Sequence, residues 1–319
     1  MTTDKKKIPL IVIAGPTACG KSETAVELAR RINGEIISAD SMQVYRHMDI
    51  GSAKVTFEEM MGVPHHMIDV ADPTDSFDVV RYAAMAKACI YDIHARGRIP
   101  VLCGGTGFYI QAVVRDINFE ENGSLPEYRE ELWHFAEENG NEALHEKLKA
   151  VDERSAAIIH PNNVKRVIRA LEYFRETGRS IAEHNEEAAK VPSPYDLHFF
   201  VLTDDRAYLY DKIEKRVDFM MTAGLLDEVM FLQAMGLTKD MVSMQGLGYK
   251  EMLSYLDGST TLDEAVTILK RDTRHYAKRQ ITWFKREQNT TWVDLRDFNR
   301  NKIEAALYIK SLLPEDLTR

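Results

Sequence analysis

A chain of 319 residues, 45% hydrophobic and 29% charged, is long enough for one large core or two moderate ones and has the balance of a globular protein. No apolar run approaches the roughly 20 residues needed to cross a bilayer, and a net charge of −9 confines any polyanion binding to a local basic face. Three cysteines, odd in number and far apart, match neither a disulfide framework nor a zinc spacing.

The first 110 residues alternate between strand and helix patterns. Residues 10–14 form a short apolar run followed by glycine, which suits a buried strand. Residues 21–32 follow as a helix with Ala25, Leu28, Ala29 and Ile32 on one side. Residues 35–38 are a second strand leading to Asp40. Residues 77–95 are a long amphipathic helix that uses Val80, Ala83, Ala84, Ile90 and Ile93, with Gly97 just past its end. Residues 99–103 are another buried strand, stopped by Gly104 and Gly105. This alternation predicts an α/β fold with a parallel sheet flanked by helices.

The pattern changes near Asn118. From there to Pro194 the chain is polar and helical, bounded by turn-forming clusters. Strand character resumes at 197–202, helices follow, and 291–295 is a last strand. The reading is a discontinuous core of residues 1–117 and 195–319, with an all-helical insertion at 118–194. A polar start without an apolar leader leads to an expected cytoplasmic location. A monomer without membrane contact is expected.

Gly15, Pro16, Thr17, Ala18, Cys19, Gly20, Lys21 and Ser22 satisfy the phosphate-loop pattern GxxxxGK[ST] between a strand and a helix. Backbone N–H groups of such a loop point at phosphate oxygens, aided by the positive helix end. Lys21 adds a point charge, and the Ser22 hydroxyl suits Mg²⁺. The strand after it ends in Gly104-Gly105-Thr106 rather than in a carboxylate, unlike a typical ATPase. Asp40, at the end of the other strand, is placed to act as a general base or to cap a turn. His65 and His66, being adjacent, face different ways and do not make a metal pair.

At the C-terminal end, a helix over 268–287 gathers Lys270, Arg271, Arg274, His275, Lys278, Arg279, Lys285 and Arg286 on one half. Leu269, Tyr276, Ala277, Trp283 and Phe284 fall on the other. Such a helix could follow a phosphate backbone or simply present a solvated face.

Taken together, residues 15–22, Asp40-Ser-Met-Gln43, the 48–54 segment Met-Asp-Ile-Gly-Ser-Ala-Lys, Gly104-Gly-Thr106 and the 277–283 segment Ala-Lys-Arg-Gln-Ile-Thr-Trp resemble the tRNA dimethylallyltransferases, over residues 8–295. The resemblance implies a P-loop NTPase-like core and a Mg²⁺-dependent transfer of the dimethylallyl group from dimethylallyl diphosphate. The acceptor would be N6 of adenosine 37 beside the tRNA anticodon, extruded from its stack. It implies Asp40, Thr106 and Arg216 as catalytic groups, the phosphate loop as the diphosphate site and Ser22 as the Mg²⁺ ligand. For the anticodon stem-loop it implies Asp40, Ser41, Met42, Gln43 and Thr106, then Arg129, Lys165, Arg166 and Arg169. Gln245, Gly248, Lys250, Arg274, Lys278 and Arg279 complete that set. Cys19 and Ser22 stand where serine and threonine are common in the family, and Lys165 where glutamine is usual. An isopentenyltransferase acting on free AMP, ADP or ATP, a small-molecule kinase and a non-catalytic RNA-binding protein are the alternatives.

Overall fold

The computed structural model describes residues 7–117 and 126–318. The chain divides into two compact units, one made of the segments up to Val114 and from Pro194 onward, the other of Arg115–Ser193.

The first unit is built on a six-stranded sheet in the order β3-β2-β4-β1-β5-β6, parallel at every pairing. Its strands are β1 (Pro9–Ala14), β2 (Gly34–Ser38), β3 (His65–His66), β4 (Ile99–Gly104), β5 (Asp196–Thr203) and β6 (Thr290–Asp294). Their near-continuous apolar runs are what a parallel sheet buried on both faces requires. Side chains alternate along each strand, so β1 sends Leu10, Val12 and Ala14 to one core and Ile11 and Ile13 to the other. The second core is closed by α1 (Lys21–Arg31) and by the C-terminal helix described below. The first is closed by α3 (Val79–Ala95) and α4 (Gly107–Val114), after the one-turn α2 (Phe57–Met60), and by helices that follow β5.

The second unit is all-helical among its described residues: α5 (Pro126–Asn139), α6 (Asn141–Val151), α7 (Glu153–Ile158), α8 (Val164–Thr177) and α9 (Ile181–Lys190). Leu132, Leu144, Leu148, Val167, Ile168 and Leu171 form its own core. Arg129 reaches across it and grips buried Glu172 with both arms of the guanidinium, at 2.9 and 2.8 Å.

Back in the first unit, α10 (Arg206–Thr222), α11 (Leu225–Ala234), α12 (Tyr249–Leu256), α13 (Leu262–Phe284) and α14 (Lys302–Ser311) complete the chain. Helix α14 packs against α1, and α10 to α13 supply Val217, Val229, Met252 and Leu269 to the larger core.

Three details depart from the sequence reading. The two histidines form a strand at the sheet edge, pairing with Ile36 and Ile37 of β2. His66 Nε2 lies 2.7 Å from the Glu35 carboxylate, which also binds Arg96. Helix α3 buries Ala83, Ile90 and Ile93 as expected, but Val80 and Ala84 are exposed and Tyr82 and Ala86 are buried in their place. The reason is Tyr82, whose ring stacks on Tyr109 with centroids 3.9 Å apart while its hydroxyl donates to Ser38 O at 2.9 Å. A polar tip with a buried partner lets tyrosine take a core position. The third departure concerns the cations of α13, described with the site.

Candidate active site

Two strand ends at the carboxyl edge of the sheet, where open α/β sheets place their ligands, build the site. After β1 the chain turns through Gly15–Gly20 and enters α1 at Lys21. Gly20 is the N-cap with φ 85°, a conformation that disfavours any side chain, and a Cβ there would also collide with the stem of Lys302 at the start of α14. Lys21 Nζ donates to Pro16 O at 2.7 Å, across the loop. Cys19 is buried beneath it, and burial raises its thiol pKa despite the nearby charges of Lys21, Arg216 and Lys302. Thr17 carries two links out of the loop: its N–H donates to Gln280 Oε1 at 2.8 Å, and its hydroxyl accepts from Arg216 Nη1 at 3.5 Å.

The second strand end is β2, followed by Asp40. Ala39 N donates to Cys103 O and Thr106 N donates to Ala39 O, which lashes the ends of β2 and β4 together. The two backbones approach so closely that a Cβ on Gly104 would strike Ala39 O. Asp40 Oδ1 accepts from Met42 N at 2.8 Å and Gln43 N at 3.4 Å, so this carboxylate closes its own turn. Thr106 Oγ1 accepts from Ser41 N at 3.1 Å.

Between these edges lies a cavity of about 470 Å³. Lys21, Ser22, Thr17, Asp40 and Arg216 give it a polar end, while Tyr45, Phe77, Tyr109, Val217, Met220 and Leu269 give it apolar walls. Burial lowers the Arg216 pKa, and no described carboxylate forms an ion pair with it. A desolvated cation held that way is a ready partner for an anion. Tyr276, also in the lining, has its hydroxyl pKa pushed up to about 12, mainly by burial and then by the Asp40 charge.

The cavity thus brings Lys21 of the phosphate loop, Arg216 of α10, the Asp40 carboxylate and an apolar wall together. The IPP transferase pattern matches residues 43–287. The chain belongs to the IPP transferase family. A tRNA dimethylallyltransferase of Lachnoclostridium phytofermentans is 51% identical over 311 residues, 98% of this chain and 99% of that protein. Among solved structures, the full-length tRNA isopentenylpyrophosphate transferase of Bacillus halodurans is 47% identical with a TM-score of 0.69, covering 96% of this chain and all of that one. A eukaryotic dimethylallyltransferase captured acting on tRNA is 30% identical with a TM-score of 0.78, covering 92% of this chain and 75% of that one.

In this member of the IPP transferase family, eleven of the residues singled out from sequence meet at the cavity. Thr17, Lys21, Ser22, Asp40, Ser41, Met42, Gln43, Arg216, Gln245, Lys250 and Arg279 all line it. Arg216 is no solvated helix charge; α10 turns it inward, beside Ile213 and Val217. Thr106 stands behind Ser41, its hydroxyl accepting from Ser41 N. Gly248 caps α12, its N–H donating to Glu251 at 2.8 Å. Arg129, Lys165, Arg166 and Arg169 belong to the helical unit, where Lys165 and Arg166 are exposed and Arg129 is tied to Glu172.

The cationic row of α13 is partly neutralised within the chain. Lys270 pairs with Asp218 at 2.5 Å, Arg274 with Glu214 at 2.6 Å and Arg271 with Asp272 at 2.8 Å. Lys278 instead borders a groove of about 100 Å³ together with Arg206, Tyr210 and Lys285. Asp272 is on α13 itself, but Glu214 and Asp218 come from α10, more than 50 residues earlier, and no pattern within α13 could announce them.

Two site residues escaped the sequence reading. Tyr276 was assigned to the apolar face, and Gln280 was quoted only as part of a motif. Gln280 continues the buried stripe of Ala277 and Phe284; a polar residue on an apolar stripe is the signal that was available.

Proposed function

We propose that this chain transfers the dimethylallyl group of dimethylallyl diphosphate to N6 of adenosine 37 in the anticodon stem-loop of tRNA. The products are N6-isopentenyladenosine and diphosphate. The observation that carries this reading is one cavity lined by the phosphate-loop Lys21, by Arg216 and Asp40, and by apolar walls suited to a five-carbon chain and a flipped base.

The amine nitrogen attacks the allylic carbon, a C–N bond forms, and the C–O bond breaks with its electron pair leaving on diphosphate. Lys21 and Arg216 offset the charge that develops there. An aromatic amine is a weak nucleophile, and Asp40 takes its proton. Oδ1 is committed to the turn, so Oδ2 is the oxygen for that task. Thr106 keeps Ser41 and the turn in register. The Tyr and Phe walls exclude water, which would otherwise hydrolyse the allylic diphosphate.

The Ser22 hydroxyl lines the polar end, and no cluster of three or more His, Cys, Asp or Glu side chains suited to a metal occurs among the described residues. That donor set fits Mg²⁺, which takes few protein ligands and completes its shell with substrate phosphates and water. Bound there, Mg²⁺ would supply further charge neutralisation at the diphosphate. Exposed Lys165 and Arg166 suit RNA phosphates. The reading includes action on tRNA in the cytoplasm by a monomer; among the described residues no helix is long and apolar enough to cross a membrane.

The test combines purified protein, Mg²⁺, dimethylallyl diphosphate and an unmodified tRNA with adenines at positions 36 to 38, with AMP in parallel. Mass spectrometry of digested RNA should reveal adenosine with one prenyl group added, dependent on Asp40. Product on AMP alone would move the activity to free nucleotides; ATP turnover with neither product would leave only a phosphate-binding protein.

A further inference from the structure

Gln280 makes a bridge that the chemistry above does not use. Its side chain is almost fully buried on α13. One amide end accepts from Thr17 N at 2.8 Å, and the other donates to Gly105 O at 2.9 Å. The two partners belong to different loops: Thr17 to the phosphate loop, Gly105 to the turn after β4. Both bonds are to backbone groups, so the amide sets the distance and the angle between the loops without contributing charge. The space is shaped for it, because a Cβ on Gly105 would collide with Gln280 Nε2.

A phosphate loop binds an anion by converging N–H groups, and their convergence depends on how the loop is held. Here one N–H, that of Thr17, is turned outward to α13, and the hydroxyl of the same residue receives Arg216. A shift at Thr17 therefore moves both the loop and the arginine that closes over its contents. We propose that Gln280 is a positioning residue for the diphosphate: it holds the phosphate loop and the Gly104–Gly105 turn in register, and Arg216 with them. This rests on the diphosphate reading of the loop and extends it to a residue that acts through the two loops it ties together.

The experiment measures binding of inorganic diphosphate with Mg²⁺ by calorimetry, and separately KM for dimethylallyl diphosphate and for tRNA. Wild type is compared with Gln280→Met, which keeps the volume and removes both bonds, and with Gly105→Ala, which pushes the amide aside. The expected result is a diphosphate Kd and a KM for the prenyl donor raised about tenfold or more, the scale expected when two buried backbone groups lose their partner, with KM for tRNA within twofold of wild type. A merely structural role would lower the melting temperature and the active fraction and leave both KM values in place; that outcome overturns the proposal. So does an unchanged diphosphate Kd in folded Gln280→Met. If Gln280→Met does not fold, Gly105→Ala carries the comparison, and Gln280→Glu, which keeps only the acceptor, is the third variant. Failure of wild type itself to bind diphosphate would count against the prenyltransferase reading rather than against Gln280 alone.

Discussion

The Asp40 carboxylate and the Met42 amide are 2.8 Å apart, so the residue read as the base also closes the turn that carries it. The two tasks separate in mutants. Asp40→Asn keeps an acceptor for Met42 and cannot take a proton. Its turnover is expected to fall about 10²- to 10⁴-fold, the usual worth of general-base catalysis, with a melting temperature near wild type. Asp40→Ala should lose the turn as well as the base and melt lower. Equal turnover in wild type and Asp40→Asn would remove Asp40 from the chemistry.

Gly104 admits no side chain because Ala39 O occupies the space. Gly104→Ala is expected to cost about 1–3 kcal/mol through overpacking and to part the ends of β2 and β4, displacing Asp40 and Thr106 together. Urea unfolding and turnover should both register it. A fully stable and active variant would mean that the strand ends have slack the structure does not suggest.

Glu35 anchors the sheet edge. The Arg96 guanidinium beside it, helped by His66, lowers its pKa to about 2 from an ordinary 4.5. A folded pKa below the unfolded one means that its contribution is complete above pH 4.5 and drains away as pH falls toward 2. Wild type should therefore lose denaturant resistance across that interval. Glu35→Gln should be weaker at pH 6 and show a shallower acid decline. Parallel acid limbs for the two proteins would contradict the pairing.

Within the helical unit, the positive residues are expected to divide by role. Arg129→Ala strands the carboxylate of Glu172, which is only 2% exposed. It should destabilise that unit by about 1.5–3 kcal/mol, the range for a hydrogen bond to a charged group, seen as faster limited proteolysis. Lys165→Ala and Arg166→Ala should leave stability alone. Each is expected to weaken tRNA binding and to flatten its salt dependence by about one unit of log–log slope. RNA affinity that drops in Arg129→Ala without any loss of stability would return Arg129 to direct RNA contact.

Legibility followed the range of the interactions involved. The phosphate loop and the Asp40 turn were readable because each is set by neighbours within eight residues, and strand–loop–helix context does the rest. Strand β3 was not, being two residues long and existing only through its pairing with Ile36 and Ile37. The place of Tyr82 in the core depends on a buried partner in another element, Ser38 O. The α13 row looked like one continuous cationic face because cations are visible in their own helix, whereas Glu214 and Asp218 are visible only once α10 is packed beside it. Gln280 is the same lesson at the site: its partners lie 263 and 175 residues away.

The sheet order has a bearing on how the chain is made. β1 lies between β4 and β5, yet β5 begins at Asp196, after the whole helical unit has been synthesised. At ribosomal rates of about 5–20 residues per second, one side of β1 waits on the order of ten to forty seconds for its neighbour. Meanwhile α5 to α9, whose contacts are short-range, can already form. The nascent protein thus passes through a stage in which the helical unit is finished and the phosphate loop hangs from a half-built sheet. Chaperone dependence should be greatest for chains stalled before residue 196.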